Sequence, residues 1–144
     1  MQNISVKAYI LDMAKRTKSF DLVRLFAALA DTTRLRLLNL MDGREVCVCY
    51  FVEILQQGQP KISRHLAYLR RAGIVNARRD GKWMHYSIER PEDERASAIL
   101  NATLVSFRAD PQMQVDLSLL DKACCEPQQF VTLRGAPAPV ALGG

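Results

Sequence analysis

The sequence predicts a mainly α-helical domain with a β-hairpin wing, the element order of a winged helix-turn-helix. Apolar residues recur at helical spacing through the first half of the chain. The short turn Gln57-Gly58-Gln59 separates two of the resulting helices, and the second of them is basic. Two strand-like runs then flank Asp80-Gly81, a dipeptide that is typical of a tight hairpin turn.

Helix boundaries follow from residues that begin or end helices. We expect helices before the hairpin at about residues 6–18, 21–30, 33–41, 49–56 and 60–72. Asp31-Thr32-Thr33 supplies N-cap residues for the third helix, and Pro60 suits the first turn of the fifth. The start of the fourth helix is less sharply defined, because Val46, Val48 and Val52 favour extended structure.

The hairpin is expected to pair residues 74–79 with residues 82–88. Pro91 opens a last long helix over residues 92–108, which Asp110-Pro111 ends. Residues 112–126 are expected to hold one more short helical piece. The tail from Pro127 is rich in Gly, Ala and Pro, and this composition predicts disorder.

Composition and charge limit the function classes. The chain has 144 residues, which suits one domain with appendages. Its apolar runs fall far short of the roughly 20 residues of a membrane span, and charges interrupt the N-terminal region, so we expect a cytoplasmic protein without a membrane partner. The net charge is +5. Residues 59–90 carry +6 and the remainder −1, as expected for a nucleic-acid-binding surface.

The basic helix and the hairpin tip provide the candidate nucleic-acid contacts. A helix fits the major groove, where its outward side chains reach bases and phosphates, and a hairpin can touch the backbone or the minor groove. Arg70 and Arg71 are expected to be solvated at the helix end. The predicted DNA-binding residues are Gln59, Lys61, Ser63, Arg64, His65, Tyr68, Arg78, Arg79 and Lys82.

Four cysteines form two tight pairs, Cys47 with Cys49 and Cys124 with Cys125. Thiolates are soft ligands, so such clustering in a cytosolic chain indicates metal, metalloid or redox chemistry. Residues two apart on a regular helix differ by about 200° around its axis. For Cys47 and Cys49 to bind one ion, the chain between them must therefore be non-helical or must unwind.

Four motifs together resemble the arsenic-responsive members of the ArsR/SmtB family of winged-helix metalloregulatory repressors. They are Asp31-Thr-Thr-Arg-Leu-Arg36, Glu45-Val-Cys-Val-Cys49, Gln59-Pro-Lys-Ile-Ser-Arg-His-Leu66 and Asp80-Gly-Lys-Trp-Met-His-Tyr86. The resemblance covers about residues 20–108. It implies a homodimeric repressor that leaves double-stranded operator DNA when As(III) or Sb(III) binds. It also implies that residues 6–18 and 92–108 build the dimer interface, with residues 1–110 as the DNA-binding and dimerisation domain and residues 111–144 as an extension.

The sequence departs from the family pattern after its second cysteine. The arsenic motif typically continues Asp-Leu-Cys, whereas this chain has Tyr50-Phe51-Val52. Because As(III) favours three thiolates, we expect Cys124 or Cys125 to supply the third, from the same chain or its partner. Two alternatives remain open: a separate site at the C-terminal pair, and a methylated arsenical that needs only Cys47 and Cys49.

The same residues bear on other effectors and on an enzymatic role. A zinc or cadmium sensor of this family uses Asp and His on the last helix, but no His follows His85. A four-thiolate zinc site from both cysteine pairs is chemically possible, and so is a thiol-redox-sensing repressor. The sequence has no thioredoxin-like βαβ pattern, Gly-rich phosphate loop or serine triad, so we expect neither an enzyme nor a catalytic cofactor.

Overall fold

Three helices lead into a short strand, after which helices and strands alternate. In the computed structural model, which describes residues 5–16 and 20–143, the helices are α1 (Val6–Arg16), α2 (Leu22–Leu29), α3 (Thr32–Met41), α4 (Val48–Leu55), α5 (Gln59–Arg71), α6 (Glu94–Ser106) and α7 (Pro111–Cys125). The strands are β1 (Arg44–Cys47), β2 (Val75–Asp80), β3 (Trp83–Ile88) and β4 (Val140–Ala141). Residues 17 and 18 of the predicted first helix lie outside the described residues.

Aspartate side chains begin four of the helices. Asp21, Asp31, Asp93 and Asp110 each accept a hydrogen bond from a backbone N–H in the first turn of α2, α3, α6 and α7. Each therefore satisfies a donor that has no partner within the helix. Asp110, predicted only to end the preceding helix, also caps the next one, with Pro111 in its first turn.

The predicted hairpin is present as β2 and β3, which confirms the mainly α fold with a β-hairpin wing. Asp80 pairs with Trp83, so the two turn residues are Gly81 and Lys82, one position later than expected. Gly81 has φ +59°, the positive value that the first position of a two-residue hairpin turn requires and that glycine adopts without strain.

The sheet also contains two strands that were not predicted. In the order β2-β3-β1-β4, β1 pairs with β3 and with β4, both antiparallel. Val46 lies opposite Tyr86, and Cys47 lies opposite His85. Strand β1 is stabilised by partners far away in sequence, which explains why its residues gave only a weak local signal.

The core lies where α3, α4 and α5 pack against one another and the sheet. Leu37, Phe51 and Leu66 from these helices are fully buried. The C-terminal region adds to this core: Leu120 of α7 is fully buried, and the Asn39 amide donates to the Met113 carbonyl at 2.9 Å. Helix α7 has 15 residues, and is thus longer than the short piece expected.

The chain beyond α7 follows the domain surface where the composition predicted disorder. Short 3₁₀ turns span Pro127–Gln129 and Val131–Leu133, and Leu133 is only 1% exposed. Strand β4 then pairs with the edge of β1. A composition average overlooks single apolar residues such as Leu133 and cannot anticipate a free strand edge. The division of the chain at residue 110 stays a prediction.

Among the described residues, no helix is both long and apolar enough to span a bilayer.

Candidate effector site and nucleic-acid interface

Helix α5 presents one apolar and one polar face. Ile62, Leu66 and Leu69 are fully buried against the core. On the other side Gln59, Lys61 and Arg64 are exposed, and Ser63 is half-buried. The predicted polar face of this helix is therefore available to a ligand at its first two turns.

Two of the predicted contact residues of α5 instead pack against α3. The Arg34 guanidinium donates to His65 Nδ1 at 3.3 Å and lies over the Tyr68 ring, 4.2 Å from its centre. Arg34 also donates to the carbonyls of Ala27 and Ala28 at 2.9 and 2.8 Å, which satisfies the end of α2. Arg34 thus joins α2, α3 and α5, and DNA contact by His65 and Tyr68 stays a prediction.

The surroundings of His65 disfavour the charged form of its side chain. Burial lowers the pKa of His65, and the charges of Arg34, Lys61 and Arg64 add to this, although Asp31 opposes them. A neutral imidazole can accept the Arg34 hydrogen bond.

A basic groove of about 430 Å³ runs beside α5. The residues that line it are Arg34, Lys61, Arg64, His65, Ala67, Tyr68 and Arg71. A second depression of about 240 Å³, lined by Arg24, Tyr68 and Arg71, adjoins it. Sequence reasoning missed Arg24, Arg34 and Arg71 as members of this surface, because their convergence depends on how α2, α3 and α5 pack. Such a groove suits a phosphate backbone.

The hairpin tip carries the remaining predicted contacts. Arg78 forms a salt bridge with Glu45 of β1 at 2.6 Å, and this pairing lowers the pKa of Glu45. Arg79 donates to the Gly81 carbonyl at 3.1 Å, and the Lys82 ammonium lies 4.9 Å from the centre of the Trp83 ring. All three basic residues are exposed, and Arg78 alone among them has its charge offset by a carboxylate.

Cys47 and Cys49 face each other at the junction of β1 and α4. Cys47 ends the strand with extended backbone angles, φ −70° and ψ 143°, and occupies the N-cap position of α4. Cys49 is the second residue of the helix, and the two Sγ atoms are 3.0 Å apart. The backbone is thus non-helical at Cys47, which is the condition that helix geometry sets for the two cysteines to bind one ion; binding of an ion there stays a prediction. Cys47 is fully buried and Cys49 is half-buried.

The contact between the two sulfurs makes them chemically unequal. A hydrogen bond with Cys49, in which either sulfur can be the donor, lowers the Cys47 pKa to about 7, with help from the backbone N–H groups of Cys49 and Val48 and against the effect of burial. The same hydrogen bond and burial raise the pKa of Cys49. A substantial fraction of Cys47 is therefore thiolate at neutral pH, the form that binds metals and metalloids.

The C-terminal cysteines lie at the end of α7, which packs against α4. Cys124 is half-buried and Cys125 is exposed. Within residues 5–16 and 20–143, no group of three or more His, Cys, Asp or Glu side chains is placed to hold a metal ion. The structure thus brings Cys47 and Cys49 together, while a third thiolate from Cys124 or Cys125 stays a prediction.

Two further polar groups lie beside this dithiol and were not predicted to act there. Tyr50 is fully buried, and its pKa is raised by burial and then by the sulfurs of Cys124, Cys49 and Cys47. His85 is 4% exposed and lies opposite Cys47 in the sheet. From the sequence, Tyr50 was only a departure from the cysteine motif, and His85 had no assigned functional role.

The fold and these surfaces define the class of protein: a winged helix-turn-helix with a basic groove and a buried dithiol. Residues 31–77 match the family model described as bacterial regulatory protein, arsR family. The chain is 36% identical over 112 residues to the arsenic resistance transcriptional regulator ArsR2 of Pseudomonas putida, covering 70% of this chain and 95% of that protein. The chain belongs to the ArsR family of bacterial regulatory proteins.

Other relatives agree with this assignment. The arsenical resistance operon repressor of Escherichia coli (strain K12) is 49% identical over 67 residues, or 46% of this chain; the chain spans 57% of that relative's length. A solved structure of a possible transcriptional regulatory protein from Mycobacterium bovis is 27% identical, with TM-score 0.50, covering 59% of this chain and 88% of that one. These relatives are named as regulators rather than enzymes, as the sequence predicted.

Proposed function

We propose that this chain is a metalloid-responsive transcriptional repressor. It binds double-stranded operator DNA as a homodimer and releases it when trivalent arsenic or antimony binds to the thiolates of Cys47 and Cys49. The observation that carries the proposal is the contact between these two sulfurs, 3.0 Å apart at the first turn of α4.

The chemistry of the pair suits a trivalent metalloid. Arsenous acid carries hydroxides on arsenic, and each cysteine thiol replaces one of them. An As–S bond forms, an As–O bond breaks, the thiol proton leaves with the hydroxide as water, and no oxidation state changes. The lowered pKa of Cys47 favours the first attack, because the thiolate is the nucleophile. Soft sulfur ligands select soft ions.

The position of the pair suggests how binding reaches the DNA. Helix α4 packs against α5, and three residues, Gln56, Gln57 and Gly58, connect them. Sulfurs in hydrogen-bond contact must move to positions around arsenic, which shifts the first turn of α4. Since α5 is so closely joined to α4, it moves too. In a dimer, the two α5 helices lose affinity for DNA when the distance between them no longer matches one DNA turn.

The surfaces needed for DNA binding and dimerisation are exposed. The basic groove beside α5 offers the phosphate contacts, and the hairpin tip adds Arg79 and Lys82. Apolar side chains lie open to solvent on the two helices predicted to form the dimer interface. They are Val6, Tyr9, Ile10 and Leu11 of α1 and Val105 of α6. A second copy would cover them.

The test is release of a fluorescent operator duplex, selected from random sequence with the wild-type chain and followed by anisotropy at fixed salt. Arsenite or antimonite should release the wild type. Cys47→Ser/Cys49→Ser should bind the duplex as tightly but ignore both metalloids. Lys61→Ala/Arg64→Ala should bind the duplex weakly with a reduced salt dependence. It should nevertheless bind arsenite like the wild type.

Other outcomes would overturn the proposal in identifiable ways. A wild-type chain that binds no duplex would exclude the repressor function. A wild type that ignores arsenite and antimonite but responds to zinc, cadmium or peroxide would exclude the metalloid effector. The third bond to arsenic has two candidate donors: the predicted thiolate of Cys124 or Cys125, and a hydroxide that the metalloid keeps. Cys124→Ser/Cys125→Ser distinguishes them in the release assay, because this variant loses a third thiolate but not a retained hydroxide.

A further inference from the structure

Unpartnered polar atoms are concentrated around the dithiol. Among the described residues, three buried side-chain atoms have no hydrogen-bond partner: Tyr50 Oη, Gln57 Oε1 and His85 Nε2. Two of the three belong to neighbours of the cysteines, since Tyr50 follows Cys49 and His85 lies opposite Cys47. Buried polar groups nearly always have partners, so unpartnered atoms on two residues that neighbour the cysteines point to a group that arrives with a ligand.

The Tyr50 hydroxyl is the better placed of the two to meet an effector. Its side chain is fully buried in the first turn of α4, and the sulfurs that act on it electrostatically are those of Cys124, Cys49 and Cys47. Tyr50 is the residue next to Cys49 in the first turn of α4, and α4 packs against α7. A phenol is protonated at neutral pH and can both donate and accept a hydrogen bond. Thiols are weak partners for it, whereas an oxygen atom is a strong one.

The effector itself can supply that oxygen. When Cys47 and Cys49 each displace one hydroxide from arsenous acid as water, two As–S bonds replace two As–O bonds. The third hydroxide stays on arsenic unless another thiol removes it. We propose that arsenic keeps this hydroxide and that Tyr50 forms a hydrogen bond with it, which makes Tyr50 a specificity-determining residue for inorganic arsenite. This inference rests on the proposed function, because it takes Cys47 and Cys49 as the sulfur ligands.

Arsenicals differ in the third substituent on arsenic, and Tyr50 should distinguish them by it. Phenylarsenous acid has two hydroxides and one carbon on arsenic, so no oxygen remains after both thiols have reacted. Tyr50 then has nothing to bind. The same holds for arsenite if Cys124 displaces the last hydroxide, because the centre then has three sulfurs. Tyr50 should therefore matter for arsenite alone, and only if the hydroxide remains.

The experiment compares Tyr50→Phe with Tyr86→Phe in the full chain. Tyr86 is also buried, but it lies opposite Val46 rather than Cys47, and its hydroxyl is not among the buried atoms that lack a partner. Binding of arsenite and of phenylarsenous acid is measured by calorimetry without DNA. We expect Tyr50→Phe to weaken arsenite binding by roughly three- to tenfold, the range of one lost hydrogen bond. Phenylarsenous acid binding should be unchanged, and Tyr86→Phe should change neither.

Two controls accompany these affinities. X-ray absorption of the wild type with arsenite should find two sulfurs and one oxygen on arsenic. The midpoint of thermal unfolding of apo Tyr50→Phe should match or exceed that of the wild type, because the variant removes only an unpartnered hydroxyl.

Several results would overturn the role of Tyr50. They are three sulfurs on arsenic, an unchanged arsenite affinity of Tyr50→Phe, or an equal loss for both arsenicals. In those cases the proposed function stands, provided that Cys47→Ser/Cys49→Ser abolishes binding. If the wild type binds neither arsenical, or if that double variant binds both normally, the proposed function itself fails and the inference fails with it.

Discussion

A buried ion pair ties the C-terminal helix α7 to α3. Arg36 donates to Asp116 through Nε at 2.7 Å and through Nη2 at 2.9 Å, and Gln112 donates to the same carboxylate at 2.9 Å. The Asp116 side chain is 0% exposed and that of Arg36 is 18% exposed. The partners are 80 residues apart in sequence, so the pair reports directly on whether α7 is packed on the domain.

The expected loss on replacing Asp116 with Ala follows from this burial. Removing one partner of a buried pair costs about 3–5 kcal/mol, because the other charge remains uncompensated. Arg36 is partly exposed, so water can replace some of its lost bonds. We therefore expect Asp116→Ala to lower the free energy of unfolding by about 2–3 kcal/mol, a large part of the total stability of a small domain.

Urea unfolding followed by far-ultraviolet circular dichroism measures this loss. Asp121→Ala is the matched control, since Asp121 is an exposed acid on the same helix, and should cost less than about 0.5 kcal/mol. The double variant Arg36→Ala/Asp116→Ala should cost less than the sum of the single variants. If Asp116→Ala unfolds like Asp121→Ala, the pair does not anchor α7, and the extension would be a separable unit.

Two further predictions concern α3 and the tail. Burial would raise the pKa of Asp31, but the hydrogen bond from the Arg34 N–H and the charges of Arg34 and His65 lower it overall from 3.8. Its charge therefore stabilises the fold above pH 3.8, and this contribution disappears as the pH falls through the lowered pKa. Asp31→Asn keeps the cap, so its stability should fall less over that range in urea unfolding; equal acid sensitivity would contradict this. Leu133→Ala should lower the free energy of unfolding by about 2–3 kcal/mol, whereas Val131→Ala, at a side chain 72% exposed, should have little effect. Equal effects would show that the tail is not docked.

Local signals predicted most of the helices and the hairpin. Asp31 caps α3, Pro60 lies in the first turn of α5, and Gly81 forms the hairpin turn. Each of these acts through a few neighbouring residues, so the sequence is sufficient to find it. The strands β1 and β4 are different, because their hydrogen bonds depend on partners far along the chain. No local pattern contains that information.

The candidate site also has one part that local geometry predicts and one part that depends on packing between distant segments. Helix geometry allows Cys47 and Cys49 to share one ion only if the chain is non-helical between them, and Cys47 has extended backbone angles. The same geometry placed His65 and Tyr68 on the polar face of α5 but could not reveal that Arg34 packs against both. The packing of α7, which carries Cys124, against α4, which carries Tyr50, is likewise not encoded locally in the sequence.

Coupling between the dithiol and the DNA-facing groove depends on how rigid the connection between α4 and α5 is. Gln56 ends α4 in the left-handed conformation with φ 53°, which is rare for a residue other than glycine. Gln57 donates to Thr33 Oγ1 at 3.2 Å and so fixes the turn to α3. On the opposite side, Thr132 of the tail donates to Glu53 of α4. A shift at Cys47 therefore acts on a helix held at its C-terminal end by α3 and along its side by the tail. Both restraints lie beyond the first turn, so if a metalloid shifts that turn as proposed, the helix can pivot only about them, and the motion reaches α5 through its packing on α4.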